Sequence, residues 1–120
     1  MRKHFRIFVA MCVCVLGVAP RAAWSYIEKN TAVMRVMDKV AGKTQVVHLG
    51  VGKTVQHDGL MLVARNCKQS DPFDAENFFV FIEIYTKNNE RIFSGWMNRN
   101  EPGENPLQND TYDVWIEKCE

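Results

Sequence analysis

The stretch Gly52-Lys53-Thr54 ends like a phosphate-binding loop, the motif with which many enzymes hold ATP. Such a loop follows the pattern Gly-x-x-x-x-Gly-Lys-Ser/Thr, because its first glycine lets backbone N–H groups surround the phosphates. The position of that first glycine is occupied by Val47 here. The loop must also open a helix, whereas "VQHDGLMLV" follows Thr54 with a turn and the alternation of a strand. We therefore interpret the glycines as a bend between strands and expect no nucleotide to bind.

Few other residues have the types that catalysis or metal binding requires. His48 and His57 are the only histidines after residue 25, and a metal site needs several converging ligands. Ser70 and Ser94 are the only serines after Ser25, and neither lies in a Gly-x-Ser-x-Gly turn that would expose a nucleophile. We expect no metal, no cofactor and no catalytic serine.

Two carboxylates leave one enzymatic alternative open. Asp113 and Glu117 share one face of the last predicted strand, with Trp115 between them. Paired carboxylates carry out glycoside hydrolysis when they flank the scissile bond. A small hydrolase that acts on envelope polymers is therefore an alternative function, although solvated surface residues are the simpler interpretation of this pair.

The first 25 residues have the layout of a secretory signal peptide. A basic start, "MRKHFR", precedes the apolar run Ile7–Ala19, and small residues follow it. The run of 13 residues is short for a membrane span, which needs about 20. Cleavage after Ser25 would leave residues 26–120 as a single domain with no stable membrane span. An uncleaved membrane anchor is the alternative.

Removal of the signal peptide changes the charge and the cysteine count. Residues 26–120 carry 11 basic and 14 acidic side chains, a net charge of −3, so no basic face remains for nucleic acid. Cys67 and Cys119 are the two cysteines that remain. In an exported domain of this size such a pair indicates a disulfide, with two free thiols as the alternative.

The apolar residues of this domain recur mostly with period two, which predicts strands. Met34, Val36 and Val40, for example, share one face of the first predicted strand, with Arg35 and Lys39 on the other. No window sustains helical spacing for three turns. We predict an all-β fold, a small antiparallel β-sandwich or partly open barrel of about seven strands. Their sequences are "VMRVMDKV", "TQVVHLGV", "TVQ", "LMLVARNC", "FFVFIEIYT", "RIFSGWM" and "YDVWIEKC".

Several aromatic residues fall on the side of their strands opposite the predicted core. Phe79 and Phe81 alternate with the apolar residues of one strand, and Trp115 alternates with Val114 and Ile116 in the last. Such a row is either covered by a second layer of the domain or exposed as a contact surface. We expect Trp96 and Tyr112 to extend the same patch. The candidate partner-binding residues are thus Phe79, Phe81, Trp96, Tyr112 and Trp115.

Several motifs together resemble those of a bacterial family, domain of unknown function 2155. They are "MDKVAGKT", "VGKT", "ARNC", "FSGWM", "NPL" and "YDVW", followed by the last cysteine. Lys53 departs from the family pattern, which commonly has Gln there. The resemblance implies a signal peptide, a periplasmic location and a Cys67–Cys119 bridge. It implies no activity, cofactor or substrate.

These observations predict a non-catalytic periplasmic module that binds another component of the cell envelope, a protein or a glycan. The carboxylate hydrolase is one alternative to this prediction. A purely structural envelope protein without a discrete ligand is another.

Overall fold

The computed structural model of the protein describes Gly17 and residues 25–120. The predicted signal peptide, residues 1–25, lies outside the described residues except for Gly17 and Ser25. In the described part, no helix has the length and apolar character needed to cross a membrane. The strands are β1 (Ile27–Lys29), β2 (Thr31–Asp38), β3 (Lys43–Gly50), β4 (Thr54–His57), β5 (Leu60–Gln69), β6 (Phe78–Thr86), β7 (Arg91–Asn98) and β8 (Tyr112–Cys119).

The eight strands form two antiparallel sheets, which confirms the all-β prediction. The five-stranded sheet has the order β1-β5-β6-β7. The strand β4 also belongs to it: β4 pairs with the first half of β5, and β1 pairs with the end of β5 along the same edge. The three-stranded sheet has the order β3-β2-β8. β1 is the strand that the sequence analysis missed, because three residues are too few for alternation to be recognised.

The core lies between the sheets and follows the predicted alternation. Val80, Ile82 and Ile84 of β6 are completely buried, and Met34 and Val36 of β2 are buried from the other sheet. Burial of each such side chain stabilises the fold by about 1.5–3 kcal/mol.

The prediction that Val40 shares a strand face with Met34 and Val36 was wrong, because Val40 is 82% exposed in the turn after β2. The strand ends at Asp38, whose carboxylate accepts hydrogen bonds from the N–H groups of Val40 and Ala41. An Asp side chain that bonds backbone N–H groups two and three residues ahead favours a turn over a strand.

The Cys67–Cys119 disulfide is present and joins the two sheets. Cys67 lies on β5 and Cys119 on β8, with their Cα atoms 5.7 Å apart. A β-bulge at Arg65 inserts one residue into β5, so that Ala64 and Cys67 both face inward. Without this insertion the strict alternation of the strand would turn Cys67 outward, away from Cys119.

The bend predicted at Gly52 is also confirmed. Gly52 lies in the turn between β3 and β4 with a φ of +83°, a backbone conformation that glycine adopts without steric cost. Thr54 begins the strand β4, so no helix follows the Gly-Lys-Thr stretch.

The segment 99–111 connects the five-stranded sheet to the three-stranded sheet and borders the candidate site. Leu107 anchors it in the core with 5% of its surface exposed. Asn105 packs against the edge strand β7, where its Nδ2 donates to the carbonyl of Trp96 over 3.1 Å. A Cβ atom at Gly95 would stand 2.9 Å from that Nδ2, so the absence of a side chain at residue 95 lets the segment approach.

Candidate functional site

The outer side of β6 divides into a polar half and an aromatic half. In the polar half, Tyr85 donates a hydrogen bond of 2.6 Å to Glu83, and Arg65 forms an ion pair with Glu83 at 3.4 Å. The hydrogen bond from Tyr85, followed by that from Arg65, lowers the pKa of Glu83. The contribution of this network to stability is therefore present above the ordinary pKa of a glutamate. It is lost as the pH falls through the lowered value.

The other half belongs to a cluster that we call the aromatic face, formed by the outward side chains of Tyr26, Phe79, Phe81 and Trp96 with Lys68 among them. Tyr26 meets Phe79 edge to face with ring centroids 5.6 Å apart, and Phe81 meets Trp96 at 5.5 Å. Edge-to-face contacts suit the charge distribution of the rings and fix their tilt. Tyr26 is 43% exposed and Trp96 is 42% exposed, so two of the four rings remain open to solvent.

Lys68 connects the two aromatic pairs. It lies directly opposite Phe79 in the pairing of β5 with β6. Its Nζ stands 4.2 Å from the ring centroid of Tyr26 and 4.7 Å from that of Trp96. Cation–π contacts of this kind are worth about 0.5–1 kcal/mol each at exposed sites. The ammonium group thus orders the two exposed rings and gives the face a positive centre.

A concave area borders the aromatic face where the segment 99–111 passes β7; we call it the Trp96 hollow. It has a volume of about 380 Å³. Phe79 and Trp96 supply aromatic walls, and Asn98, Glu104 and Asn105 supply polar groups. This mixture of flat apolar surface and a few polar side chains is typical of small-molecule sites.

The structure separates Trp115 from the other candidate residues, so the expectation of one continuous patch was wrong. Trp115 lies on the outer side of the three-stranded sheet, opposite Arg35 of β2. It is half-buried beside a second hollow of about 380 Å³ that Pro102 and Pro106 also line. The segment 99–111 contributes residues to both hollows and lies between them.

Tyr112 does not extend the aromatic face either. Its ring packs against the core, and its hydroxyl accepts a hydrogen bond of 3.0 Å from the N–H of Gly59. The residue fixes the turn between β4 and β5 to the start of β8, which is a structural role.

We expect Tyr112→Phe to lower the free energy of unfolding by about 1 kcal/mol, because it leaves the half-buried N–H of Gly59 without its partner. Denaturant unfolding followed by tryptophan fluorescence measures this change. Tyr26→Phe is the matched control, since Tyr26 is exposed and should show no loss. Equal stability of the two variants would contradict the role of the Tyr112 hydroxyl.

The carboxylates of the hydrolase alternative do not form a pair. Asp113 and Glu117 are four residues apart on one strand, which places their Cα atoms about 13 Å apart, whereas the catalytic carboxylates of glycosidases lie about 5–9.5 Å apart. Glu117 is engaged in an ion pair with Arg35 at 3.1 Å. The backbone spacing and the ion pair of Glu117 therefore give no support to a hydrolytic site at this pair.

The histidines lie apart from each other and from the aromatic face. His48 is exposed, as expected, and its Nδ1 is 3.5 Å from a Glu120 oxygen, whereas His57 contacts its neighbour Asp58. Among residues 25–120, no cluster of three or more His, Cys, Asp or Glu side chains is placed to hold a metal ion.

Sequence reasoning missed two members of the aromatic face, Tyr26 and Lys68. Tyr26 directly follows the predicted cleavage site and precedes a strand of three residues, so no alternation assigned it to a face. The bulge at Arg65 reverses the alternation before Lys68. The one sequence signal for Lys68 was its position in the strand that precedes the strand with the outward aromatic residues.

Comparison with known proteins places the chain among uncharacterised bacterial sequences. A family model described as "Uncharacterized protein conserved in bacteria (DUF2155)" matches residues 32–119. No curated protein and no solved structure matches the chain significantly. The matched range extends from β2 to the second cysteine of the disulfide.

Proposed function

The chain belongs to DUF2155, a family of uncharacterised bacterial proteins, and from this premise we propose that it is a non-catalytic periplasmic module that binds another component of the cell envelope. The membership confirms the resemblance drawn from the sequence motifs. It supplies no activity, so the proposal rests on the surface of this chain.

The observation that carries the proposal is the aromatic face. Four aromatic side chains share the outer side of one sheet around a single lysine, and two of them are more than 40% exposed. Aromatic residues are enriched where surfaces bind partners, because they bury a large area with little loss of side-chain freedom. Their mutual contacts hold them in place before a partner arrives, which reduces the entropic cost of binding.

The proposed location rests on the first 25 residues and on the disulfide. A basic start followed by an apolar run is typical of export signals, and a disulfide persists in the oxidising periplasm. A partner in the cell envelope follows from that location.

Photo-crosslinking in living cells tests the proposal. A photo-reactive phenylalanine derivative, which keeps an aromatic ring at the substituted position, replaces Trp96 in one full-length variant and Val46 in another, and mass spectrometry identifies what each captures. Val46 is the matched control, because it is 47% exposed on the outer side of the other sheet. We expect a discrete adduct at residue 96 and none at residue 46.

Two results would contradict this assignment. No adduct at residue 96 in a folded, exported protein would favour a purely structural role. Adducts at residue 46 with none at residue 96 would move the binding surface to the three-stranded sheet.

A further inference from the structure

We propose that the Trp96 hollow binds one pyranose ring of an envelope glycan, an inference that rests on the proposed function and names the ligand of the same site. A pyranose presents an apolar face of C–H groups and a rim of hydroxyl groups. A protein site for it needs a flat aromatic surface beside donors and acceptors that are held in fixed directions. The hollow has both parts.

The aromatic part is Trp96 with Phe79. Phe81 fixes the tilt of the Trp96 ring through a T-shaped contact, at a centroid distance of 5.5 Å. The Nζ of Lys68 stands over one face of the indole, 4.7 Å from its centroid. Trp96 is 42% exposed, so part of its ring surface is available for the C–H groups of a sugar. Phe79 forms a second wall of the hollow.

The polar part is a pair of asparagine side chains whose orientations are fixed. The Oδ1 atom of Asn98 accepts from Asn77 Nδ2 at 2.6 Å and from the N–H of Asn100 at 3.0 Å. Its NH₂ group is thereby turned away from those partners and remains able to donate. Asn105 uses its Nδ2 on the Trp96 carbonyl, which leaves its Oδ1 able to accept. One donor and one acceptor match two neighbouring hydroxyl groups of a sugar.

Glu104 supplies a further acceptor at the rim of the hollow. A carboxylate accepts hydrogen bonds from hydroxyl groups more strongly than an amide oxygen does.

The composition of the hollow favours a sugar over a protein side chain as its occupant. Protein anchors bind in apolar pockets that exclude water. Here three of the five lining side chains are polar, and the hollow is open enough for Trp96 to remain 42% exposed. The volume of about 380 Å³ lies in the small-molecule range of about 300–1,000 Å³.

A nuclear magnetic resonance titration tests the inference on protein purified after expression of the full chain. The probes are chitotriose with N-acetylated rings, cellotriose and a soluble muramidase digest of peptidoglycan, each at concentrations up to about 10 mM, ten times a Kd of about 1 mM. We expect saturable shifts of the Trp96 indole N–H and of the side-chain amides of Asn98 and Asn105 with at least one probe. Trp96→Ala should weaken that binding at least tenfold, and Val46→Ala should leave it unchanged.

The outcomes separate this inference from the proposed function. Shifts confined to the hollow that Trp96→Ala removes support a sugar site. No saturable shift with any probe, or equal binding by the Trp96→Ala variant, overturns it. If residue 96 still captures a protein in cells, the aromatic face remains a binding surface and only its ligand class is wrong.

Discussion

Replacing both Cys67 and Cys119 with alanine will lower the free energy of unfolding by about 4 kcal/mol. The disulfide closes a loop over a sequence separation of 52 residues. The chain-entropy model assigns about 4 kcal/mol to a cross-link of that length, because it restricts the unfolded chain. A domain of this size has a total stability of only about 5–15 kcal/mol. We therefore expect the double variant to unfold at a much lower denaturant concentration than the unmodified protein.

The structure adds a reason for this large effect. Cys67 is fully buried and Cys119 is 4% exposed, and their bond connects β5 to the end of β8 across the core. Val46→Ala serves as the control, since an exposed valine on a sheet surface should change stability by less than about 0.5 kcal/mol. A loss below about 1 kcal/mol in the double variant would show that the link contributes little beyond the packing around it.

The second large effect is expected at Leu107, the buried residue of the segment 99–111. Leu107→Ala should cost about 3 kcal/mol, within the range of about 2–5 kcal/mol for such core truncations. The side chain is 5% exposed and belongs to the core cluster between the sheets. Its truncation leaves a cavity and loosens the segment that holds Asn105 against β7. Binding at the Trp96 hollow should therefore weaken together with stability.

Gln108→Ala is the control for this prediction, because Gln108 is the exposed neighbour of Leu107 on the same segment. Chemical denaturation gives the stability change, and hydrogen exchange of the amides in the segment reports its loosening. If Leu107→Ala left both stability and exchange unchanged, the segment would be held by its surface hydrogen bonds and not by its contact with the core.

Alternation of apolar residues was sufficient to predict most of the sheet. β6 shows this most clearly, since Val80, Ile82 and Ile84 face the core and Phe79 and Phe81 face outward. Alternation fails where a strand is very short or irregular. β1 has three residues, and the bulge at Arg65 reverses the faces of the second half of β5. A bulge depends on how two strands twist against each other, which a single strand sequence does not reveal.

The candidate site was predicted in part. Phe79, Phe81 and Trp96 were expected to lie together, and the structure brings them together because β6 pairs with β7. Trp115 was expected beside them, but β8 pairs with β2 in the other sheet. Whether a residue faces outward can be predicted from the residues beside it in the strand. The sheet to which the strand belongs depends on pairing with strands that are distant in the sequence. Lys68 lies among these rings because β5 pairs with β6, which is also a long-range pairing.

The three candidate functions differ in which surface residues they require. A purely structural protein would tolerate change at every exposed position. A hydrolase of the glycosidase type would need two free carboxylates at short distance, whereas the Cα atoms of Asp113 and Glu117 lie about 13 Å apart along β8 and Glu117 is paired with Arg35. A binding module requires one defined face, so substitutions of the exposed residues Tyr26 and Trp96 should weaken its binding.

Co-sedimentation with isolated cell envelopes tests this requirement most directly. The purified protein is compared with the double variant Tyr26→Ala/Trp96→Ala and with the control Val40→Ala/Val46→Ala, which changes two exposed valines away from the aromatic face. Since truncation of one anchor costs about 2 kcal/mol or more, we expect the first variant to bind at least tenfold more weakly. The control should bind like the unmodified protein. Equal binding by all three folded proteins, or no binding by the unmodified protein, would contradict the assignment of the aromatic face as the binding surface.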